Sequence, residues 1–367
     1  MKRNLAARIC AAVLVVCTPV CVMAVPSERG VFDMERWDSV IDSVRTRAAA
    51  QNISRTTIDA TLKSPAFIPS IVRSDKNQSE FTLTLEQYLN RTVNPTRIAD
   101  GKKMRATYPT MLSRVDAKYG VPPHVILAFW GMESNYGAVK ARHNLRDAFL
   151  TLMYEGRRET FFGNQLLALM KIADKNNLDI TEINGSWAGA MGHFQFIPTT
   201  LAAYGVDGNG DGKVDIIHSI GDAMFSAGNY LNKLGWNENE RIVRRVTLPA
   251  DFDLSLLDGK TKLTLAQWAA LGVTNPDGTP IPQPDMTAGL VADVTAAENA
   301  RTAAALNAQA ATMVQAADGT AQYMDTDIPP MPTITAYLTY PNFYRIKKWN
   351  NSNWYAIAIA ELADELK

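Results

Sequence analysis

Cysteine is nearly absent from this chain, because all three cysteines lie within the first 24 of its 367 residues. Beyond them the chain can form no disulfide, no thiolate metal site and no cysteine nucleophile. An excess of one charge is also lacking, since 37 basic residues balance 37 acidic ones. This balance argues against a nucleic-acid partner. No stretch reaches the roughly 18 apolar residues that indicate a transmembrane helix.

Residues 1–24 have the layout of a secretory signal peptide. Three basic residues precede an unbroken apolar run at 9–17, and small residues allow cleavage after Ala24. A buried N-terminal helix is the alternative. Cys17 and Cys21 each follow a valine rather than the small residue that precedes a lipid-attached cysteine, which argues against a lipid anchor. We therefore expect an exported, periplasmic protein.

The remaining chain alternates helical patterns with turn-rich segments. Apolar residues at helical spacing predict helices through 31–120, and Gly120 suits the end of one of them. Residues 124–135 are apolar nearly all round, which predicts a buried helix. Further helical patterns cover 160–176, 223–234 and 355–366, and short β-like runs cover 241–248 and 263–265.

Residues 291–317 differ in composition from the rest of the chain. They contain twelve alanines and no aromatic residue. This segment could be an exposed helix or an irregular excursion, and its surface could serve a partner in the cell envelope.

Glu133 is the one carboxylate in the motif at 128–137, close to the end of the predicted buried helix. Burial disfavours the ionised form, and the negative potential of a helix C-terminus acts in the same direction. A carboxyl that stays protonated near neutral pH can act as a general acid. The alternative is a glutamate that only caps the helix or pairs with an arginine.

Residues 185–198 are rich in glycine and aromatic side chains. The glycines allow a close approach of the backbone to another surface. Ser186 and Gln195 offer neutral hydrogen bonds. Three aromatic residues offer faces for sugar rings, namely Trp187, Phe194 and Phe196. The segment therefore suits a saccharide groove, or alternatively a tightly packed turn with aromatic side chains in the core.

Residues 207–215 resemble the front of an EF-hand calcium loop, with oxygen-bearing side chains at positions 1, 3 and 5 and glycine at position 6. Position 7 contributes only a carbonyl, and position 12 is His218 rather than glutamate. The candidate calcium ligands are Asp207, Asn209, Asp211, Lys213 and, in a longer loop, Asp222. The alternative is a plain turn.

In this order, the motifs resemble the lytic murein transglycosylase B family, glycoside hydrolase family 103. The resemblance covers most of the chain after residue 24. Its motifs lie at 88–91, 119–122, 130–137, 155–158, 185–198, 207–215, 229–231, 235–236 and 349–356. Two departures stand out: Trp349 replaces the family's usual tyrosine, and 291–317 has no evident counterpart.

The resemblance implies an α+β, mainly α protein with a lysozyme-like catalytic core, an additional helical region and a small β region. The expected boundaries are 25–115 for the N-terminal helical region, 116–240 for the core with its EF-hand-like loop at 207–222, 241–333 for the β region with the alanine-rich insertion at 291–317, and 334–367 for a C-terminal segment that completes the groove and the helical region.

The resemblance also implies a set of functional residues. Glu133 falls on the family's single catalytic acid/base. The saccharide groove would be lined by Tyr88, Ser186, Gln195, Asn350 and Tyr355. Calcium would be structural, with Asp222 as an uncertain last ligand, and no organic cofactor is expected.

The implied reaction is cleavage of the β-1,4 bond between N-acetylmuramic acid and N-acetylglucosamine in peptidoglycan, without water, to form a 1,6-anhydro sugar. Two alternatives remain open from the residues themselves. One is a hydrolytic muramidase that takes a second carboxylate from Asp147, Glu155 or Glu159. The other is a non-catalytic, calcium-dependent peptidoglycan-binding protein.

Overall fold

The computed structural model describes residues 32–76, 83–282, 285–299, 301–303, 306 and 334–367. The predicted signal peptide and part of the alanine-rich segment lie outside these residues. Within them, no helix combines the length and the apolar character that crossing a bilayer would require.

Helices form most of the described chain and surround one large apolar core. They are α1 Met34–Ala50, α2 Arg55–Leu62, α3 Pro69–Lys76, α4 Leu85–Thr92, α5 Pro95–Thr107, α6 Pro109–Tyr119, α7 Pro123–Ser134, α8 Leu145–Glu155, α9 Glu159–Asn176, α10 Pro198–Tyr204, α11 Ile220–Lys233, α12 Leu265–Ala270, α13 Pro341–Trp349 and α14 Asn353–Glu365. The strands are β1 His143–Asn144, β2 Asn184–Gly185, β3 Val243–Leu248, β4 Leu263–Thr264, β5 Thr287–Ala292 and β6 Ile334–Thr339.

Helix α7 is the predicted buried helix, and its boundaries follow from local sequence. Pro123 begins it, as suits a position whose N–H has no helical partner. Residues 125–131 are all buried, and α7 packs against α5, α6, α11 and α14. Asn135 ends it in the left-handed conformation (φ 49°), just as Gly120 (φ 66°) ends α6 in the predicted place.

The sheet holds a second, smaller core built around Trp268, Leu290 and Leu338. Its antiparallel strands pair in the order β3-β6-β5-β4 in the described chain. Strand β6 is therefore central, although the sequence assigned residues from 334 onward to the C-terminal segment. That boundary is wrong, because β6 pairs along its whole length with β3 and belongs to the β region.

The first part of the alanine-rich segment is packed structure rather than an irregular excursion. Residues 291–292 complete β5, and residues 294–299 and 301–303 are helical. The side chain of Ala297 is buried in the core of the sheet. Asp293 Oδ2 accepts a hydrogen bond from the backbone N–H of Leu85 at 2.9 Å, which ties the end of β5 to the start of α4.

Asp75 links α3 to the turn between α8 and α9 through two ion pairs. Its carboxylate, almost fully buried, accepts hydrogen bonds from the guanidinium groups of Arg157 and Arg158. Burial alone would raise the pKa of Asp75, but the two arginines outweigh it and hold the pKa below its ordinary value. The ionised carboxylate therefore stabilises the fold above about pH 4, and this contribution is lost as the pH falls through the folded-state pKa.

We expect Asp75→Asn to destabilise the protein by about 1–2 kcal/mol at pH 7, because charged hydrogen bonds are lost while both arginines can reach water. Urea unfolding should show the gap to wild type shrinking below about pH 4. Asp59→Asn is the matched control, since Asp59 lies exposed beside Arg45 and Arg55. Equal losses in the two variants would contradict this role for Asp75.

Candidate active site

Glu133 is the penultimate residue of α7, and its carboxyl faces the C-terminal helices. Trp349 Nε1, at the end of α13, donates a hydrogen bond to Glu133 Oε1 at 3.0 Å. The hydroxyl of Tyr355, in the first turn of α14, donates to the same oxygen. Both donors are neutral. Among the described residues, no arginine or lysine forms an ion pair with this carboxyl.

Burial among apolar side chains raises the pKa of Glu133 to about 7. The hydrogen bonds from Tyr355 and Trp349 act in the opposite direction, since they favour the charged form, but they do not cancel the effect of burial. Burial first, and then the neighbouring Glu133, raise the pKa of Tyr355 well above its ordinary value. Tyr355 therefore stays protonated and remains a donor.

Trp349 is a candidate site residue that the sequence marks only as a departure from the family's tyrosine. Its ring packs against Phe129, Tyr230 and Phe196 at centroid distances of 4.8, 4.9 and 5.3 Å. This aromatic packing fixes the indole N–H against Glu133. The one available signal was its place beside Asn350 in a recognised motif, because nothing in local spacing connects α13 to α7.

The predicted groove residues are placed on different elements around this carboxyl. Tyr355 contacts Glu133 directly, and Tyr88 on α4 lies near Tyr355, where α4 packs against α14. Asn350 is exposed in the turn between α13 and α14. Of the predicted groove residues in the described chain, Tyr355 alone is hydrogen-bonded to Glu133.

Ser186 and Gln195 lie in the glycine-rich turn. Ser186 Oγ accepts from the N–H of Ala190 at 3.0 Å, and Gln195 Nε2 donates to the carbonyl of Gly192 at 3.0 Å. Gln195 itself adopts a left-handed backbone (φ 48°), which is uncommon outside glycine and asparagine. Both side chains therefore stabilise the turn locally, and each retains hydrogen-bonding capacity for a ligand.

The glycine-rich turn is anchored to α7. Ser134 Oγ donates to the carbonyl of His193 at 2.6 Å, and Trp130 Nε1 donates to His193 Nδ1 at 3.1 Å. Burial lowers the pKa of His193, so its ring is neutral and Nδ1 can accept this bond. Gly189 (φ 95°) lies against Phe149, where an added Cβ would come within 2.1 Å of the ring. Close backbone approach, predicted from the glycines, is thus observed.

Two of the three aromatic residues expected to stack on sugars are in the core. Phe194 and Phe196 are buried, whereas Trp187 is only partly buried. The prediction of a sugar-stacking role is wrong for Phe194 and Phe196, because they fill the space beneath the turn. Phe196 instead supports the ring of Trp349.

The candidate second carboxylates are bound elsewhere. Asp147 accepts from Arg146 Nε at 2.9 Å and from the N–H of Ala66 at 3.1 Å. Glu155 accepts from the N–H of Arg157 at 2.9 Å, and Glu159 lies 3.9 Å from a guanidinium nitrogen of Arg36. None of the three is hydrogen-bonded to Glu133 in the described chain.

The loop that begins at Asp207 is built on hydrogen bonds to carboxylates. Asp207 accepts from the N–H groups of Gly212 (2.8 Å) and Gly210 (2.6 Å), and these bonds hold the pKa of Asp207 below its ordinary value. Asp211 Oδ1 accepts from the N–H of Lys213 at 2.9 Å. Side-chain oxygens of Asp207, Asn209 and Asp211 therefore lie on one exposed turn, and hard oxygen donors suit calcium.

Asp222, the candidate last calcium ligand, is fully buried at the start of α11. Its Oδ1 accepts from the N–H groups of Gly208 (3.0 Å) and Asn209 (3.2 Å), and its Oδ2 accepts from that of Asp215 (2.8 Å). Both carboxylate oxygens of Asp222 thus stabilise the backbone of the loop at 207–215 by hydrogen bonds. In the described residues, no three histidine, aspartate or glutamate side chains converge to hold a metal ion.

This partly buried glutamate, near the end of an apolar helix and hydrogen-bonded by two neutral donors, is found in a chain whose residues 36–364 match the Transglycosylase SLT domain family. Because the match covers most of its length, the chain belongs to that family. The resemblance noted in the sequence and the predicted fold class, α+β and mainly α with a lysozyme-like core, are thereby confirmed.

Particular relatives agree with this assignment. The membrane-bound lytic murein transglycosylase B of Escherichia coli (strain K12) is 28% identical over 285 residues, which are 75% of this chain and 65% of that protein. The match thus spans just under two thirds of that relative.

Solved structures give the same result. SltB3 from Pseudomonas aeruginosa, in complex with NAG-anhNAM-pentapeptide, is 35% identical, with a TM-score of 0.75 over 90% of this chain and 79% of that one. Slt35 from Escherichia coli, in complex with calcium, is 24% identical, with a TM-score of 0.69 over 90% of this chain and 92% of that one. The latter likeness concerns the fold.

Trp349→Phe should raise the pKa of Glu133 above 7 by roughly half a unit to one unit, because a donor that favours the charged form is lost while the ring packing remains. An NMR titration of labelled glutamate carboxyl carbons would measure the shift. Tyr230→Phe is the control, because it keeps the same aromatic contact and makes no bond to Glu133. An unchanged titration in Trp349→Phe would show that the indole N–H does not influence the carboxyl.

Proposed function

We propose that this protein is a peptidoglycan lytic transglycosylase. It cleaves the β-1,4 bond between N-acetylmuramic acid and N-acetylglucosamine without water and leaves 1,6-anhydro-N-acetylmuramic acid ends. The observation that carries this proposal is Glu133, a partly buried residue whose carboxyl has a pKa raised to about 7 and accepts hydrogen bonds from two neutral donors. The family, and the anhydro-sugar complex of SltB3, support the same reaction.

The first step uses the protonated form of Glu133. A carboxyl with a pKa near 7 is protonated in a large fraction of molecules at neutral pH, so it can donate to the glycosidic oxygen as the bond breaks. Trp349 and Tyr355 both donate hydrogen bonds to Oε1 of Glu133, so the acidic proton is carried by Oε2.

The second step uses the ionised form. An oxocarbenium-like centre requires a nucleophile, and the nearby candidates Asp147, Glu155 and Glu159 are bound to other groups. The N-acetyl oxygen of the substrate takes this role. Its attack on the anomeric carbon gives a cyclic intermediate as the leaving sugar departs. Glu133, now ionised, then removes the proton from the 6-hydroxyl of the same sugar. The 6-oxygen attacks the anomeric carbon at high effective concentration, and the bond from that carbon to the N-acetyl oxygen breaks to restore the N-acetyl group.

The saccharide groove in this proposal runs past α4, the glycine-rich turn and the start of α14. Tyr88, Ser186, Gln195 and Asn350 offer neutral donors and acceptors to sugar hydroxyls and N-acetyl groups. Tyr355 orients the catalytic carboxyl rather than the sugar alone.

The cellular setting is part of the proposal. The predicted signal peptide at 1–24 directs export, and the periplasm is where peptidoglycan is accessible. Calcium binds the loop at 207–213 through Asp207, Asn209, Asp211 and the carbonyl of Lys213, and its role is structural. No organic cofactor takes part.

Glu133→Gln should lower the rate of lysis of purified peptidoglycan by at least about 10²–10⁴-fold, because an amide cannot protonate a leaving group. Turbidity loss of purified sacculi measures this rate. Glu155→Gln is the matched control, since Glu155 ends α8, the next helix in the chain, and its carboxylate accepts a hydrogen bond from the backbone N–H of Arg157. Lysis by Glu133→Gln at more than about a tenth of the wild-type rate would place the acid elsewhere.

The chemical form of the products distinguishes a lytic transglycosylase from a hydrolytic muramidase. Muropeptides released from purified peptidoglycan should end in 1,6-anhydro-N-acetylmuramic acid, lighter by one water than hydrolysed ends. Mass spectrometry at early times distinguishes the two. Free reducing ends from the start of the reaction would identify a muramidase, and binding without any release would identify a non-catalytic protein.

Calcium should raise the melting temperature, and Asp207→Ala should remove that gain. A ligand that binds only the folded state stabilises it by about 2.7 kcal/mol at about a hundred times its dissociation constant. Asp277→Ala is the control, because Asp277 similarly organises an exposed turn around Thr279. Identical melting curves of the wild type with calcium and with a chelator would show that the loop is a plain turn that does not bind calcium.

A further inference from the structure

The chain turns sharply just after Glu133. Asn135, Tyr136 and Gly137 all adopt a left-handed backbone, with φ angles of 49°, 58° and 84°. Residues with a side chain rarely adopt this conformation, and two in succession store strain that surrounding contacts must hold in place. The contacts made by this turn therefore fix the backbone geometry next to the catalytic residue.

His193, in the glycine-rich turn at 185–198, supplies several of these contacts. Its ring lies so close to Gly137 that an added Cβ there would come within 2.6 Å of a ring carbon. Its carbonyl accepts from Ser134 Oγ, and the same Oγ accepts from the N–H of Gly137 at 3.0 Å. One residue of the glycine-rich turn thus holds both the last residue of α7 and the left-handed turn that follows it.

The bond between Trp130 and His193 depends on the protonation state of the imidazole. Trp130 Nε1 lies 3.1 Å from His193 Nδ1, and an indole N–H can only donate, so Nδ1 carries no proton and the neutral ring keeps its proton on Nε2. A protonated ring has an N–H on both nitrogens, so two donors would face each other. Trp130 is 2% exposed, so water has little access to its N–H as a substitute acceptor.

No negative charge compensates a proton on this ring. Burial lowers the pKa of His193 first, and the neighbouring His218 lowers it further. The other titratable groups beside it bond elsewhere: Asp215 pairs with His218 at 2.8 Å, Glu133 accepts from α13 and α14, and the hydroxyl of Tyr136 donates to α5. In the described chain, neither carboxylate is hydrogen-bonded to His193, so a proton gained there breaks the bond to Trp130 without a new ion pair in return.

Loss of that bond affects the groove because of where its two ends lie. Ser186 and Gln195, the groove residues of the glycine-rich turn, lie on either side of His193 in the sequence. Trp130 precedes Glu133 by about one turn of α7. The bond therefore helps to set the spacing between the proposed sugar-binding turn and the catalytic carboxyl.

We propose that His193 is a positioning residue for the transglycosylase reaction, because its neutral ring holds the glycine-rich turn against the helix that carries Glu133, and that activity is lost on the acid side when this ring takes up a proton. The proposal rests on the proposed function, because it assumes that Glu133 and the glycine-rich turn act on the same glycan.

Glu133 by itself does not produce an acid limit. It enters the reaction protonated and regains its proton at the end, so kcat/KM should fall above about pH 7 and stay level below it. A fall on the acid side requires a second group, and the pKa of His193, lowered by burial, places that fall below pH 6.5, the ordinary pKa of histidine.

The test compares two measurements on the wild-type protein from pH 8 down to about pH 4.5, above the range in which carboxylate ion pairs are lost. Initial rates of lysis at low concentrations of purified sacculi follow kcat/KM, and 15N NMR of labelled histidine follows the ring without substrate. The ring should be the neutral Nε2–H tautomer at pH 7. The rate should fall about tenfold per pH unit below the pH at which the His193 ring titrates.

Two variants separate the bond from the bulk of the ring. His193→Asn places an amide oxygen near the position of Nδ1 and does not titrate, so it should lyse at close to the wild-type rate at pH 7 and lack the acid limit. His193→Phe keeps a ring but leaves the N–H of Trp130 unpaired, so it should lower the rate about tenfold at pH 7.

His124→Asn is the matched control, because His124 is another part-buried histidine of α7 whose pKa is lowered by burial. Its acid limit should equal that of the wild type. An acid limit that persists in His193→Asn, a wild-type rate that stays level while the His193 ring titrates, or a wild-type rate in His193→Phe would overturn the proposal. Each of these results requires lysis, whereas wild-type protein that releases no product would refute the proposed function, so the two failures are distinguishable.

Discussion

The site depends on one opposition of forces at Glu133. Burial at the end of an apolar helix drives the carboxyl toward its neutral form, and two neutral hydrogen bonds draw it back toward the charged form. A charged partner in place of either donor would favour ionisation more strongly and remove the acid. The resulting pKa near 7 keeps both protonation states accessible at neutral pH, which is what one group needs to act first as acid and then as base.

Much of the fold serves to maintain that opposition. Helix α7 can be apolar on all sides only because α5, α6, α11 and α14 cover it. The donors come from residues 216 and 222 positions later in the chain, so α13 and α14 must return to α7 after the whole β region. The glycine-rich turn is bound to the same helix through His193, whose neutral ring accepts a hydrogen bond from Trp130.

Local patterns predicted the parts of this arrangement that depend on neighbouring residues. The buried helix, its lone carboxylate and the glycine at the end of α6 follow from periodicity and backbone preferences, and the groove residues followed from family resemblance.

Long-range pairing was not predictable in the same way. Strand β6 is central because it pairs with β3 and β5, which are distant in sequence. Phe194 and Phe196 read equally well as sugar platforms or core, and only packing decides. Asp222 similarly offers two oxygens whose use for backbone amides is a matter of tertiary structure.

Trp349 adds a constraint on where the proton of Glu133 can lie. An indole N–H can only donate, whereas a tyrosine hydroxyl at the same position could also accept. Protonation of Oε1 would therefore leave the indole N–H facing a group that needs to donate, and Tyr355 would have to reverse its own bond. Protonation of Oε2 satisfies both donors without any rearrangement. The departure from tyrosine thus keeps one carboxyl oxygen as a fixed acceptor and reserves the other for proton transfer, a division that suits a carboxyl required to give up a proton and take one back.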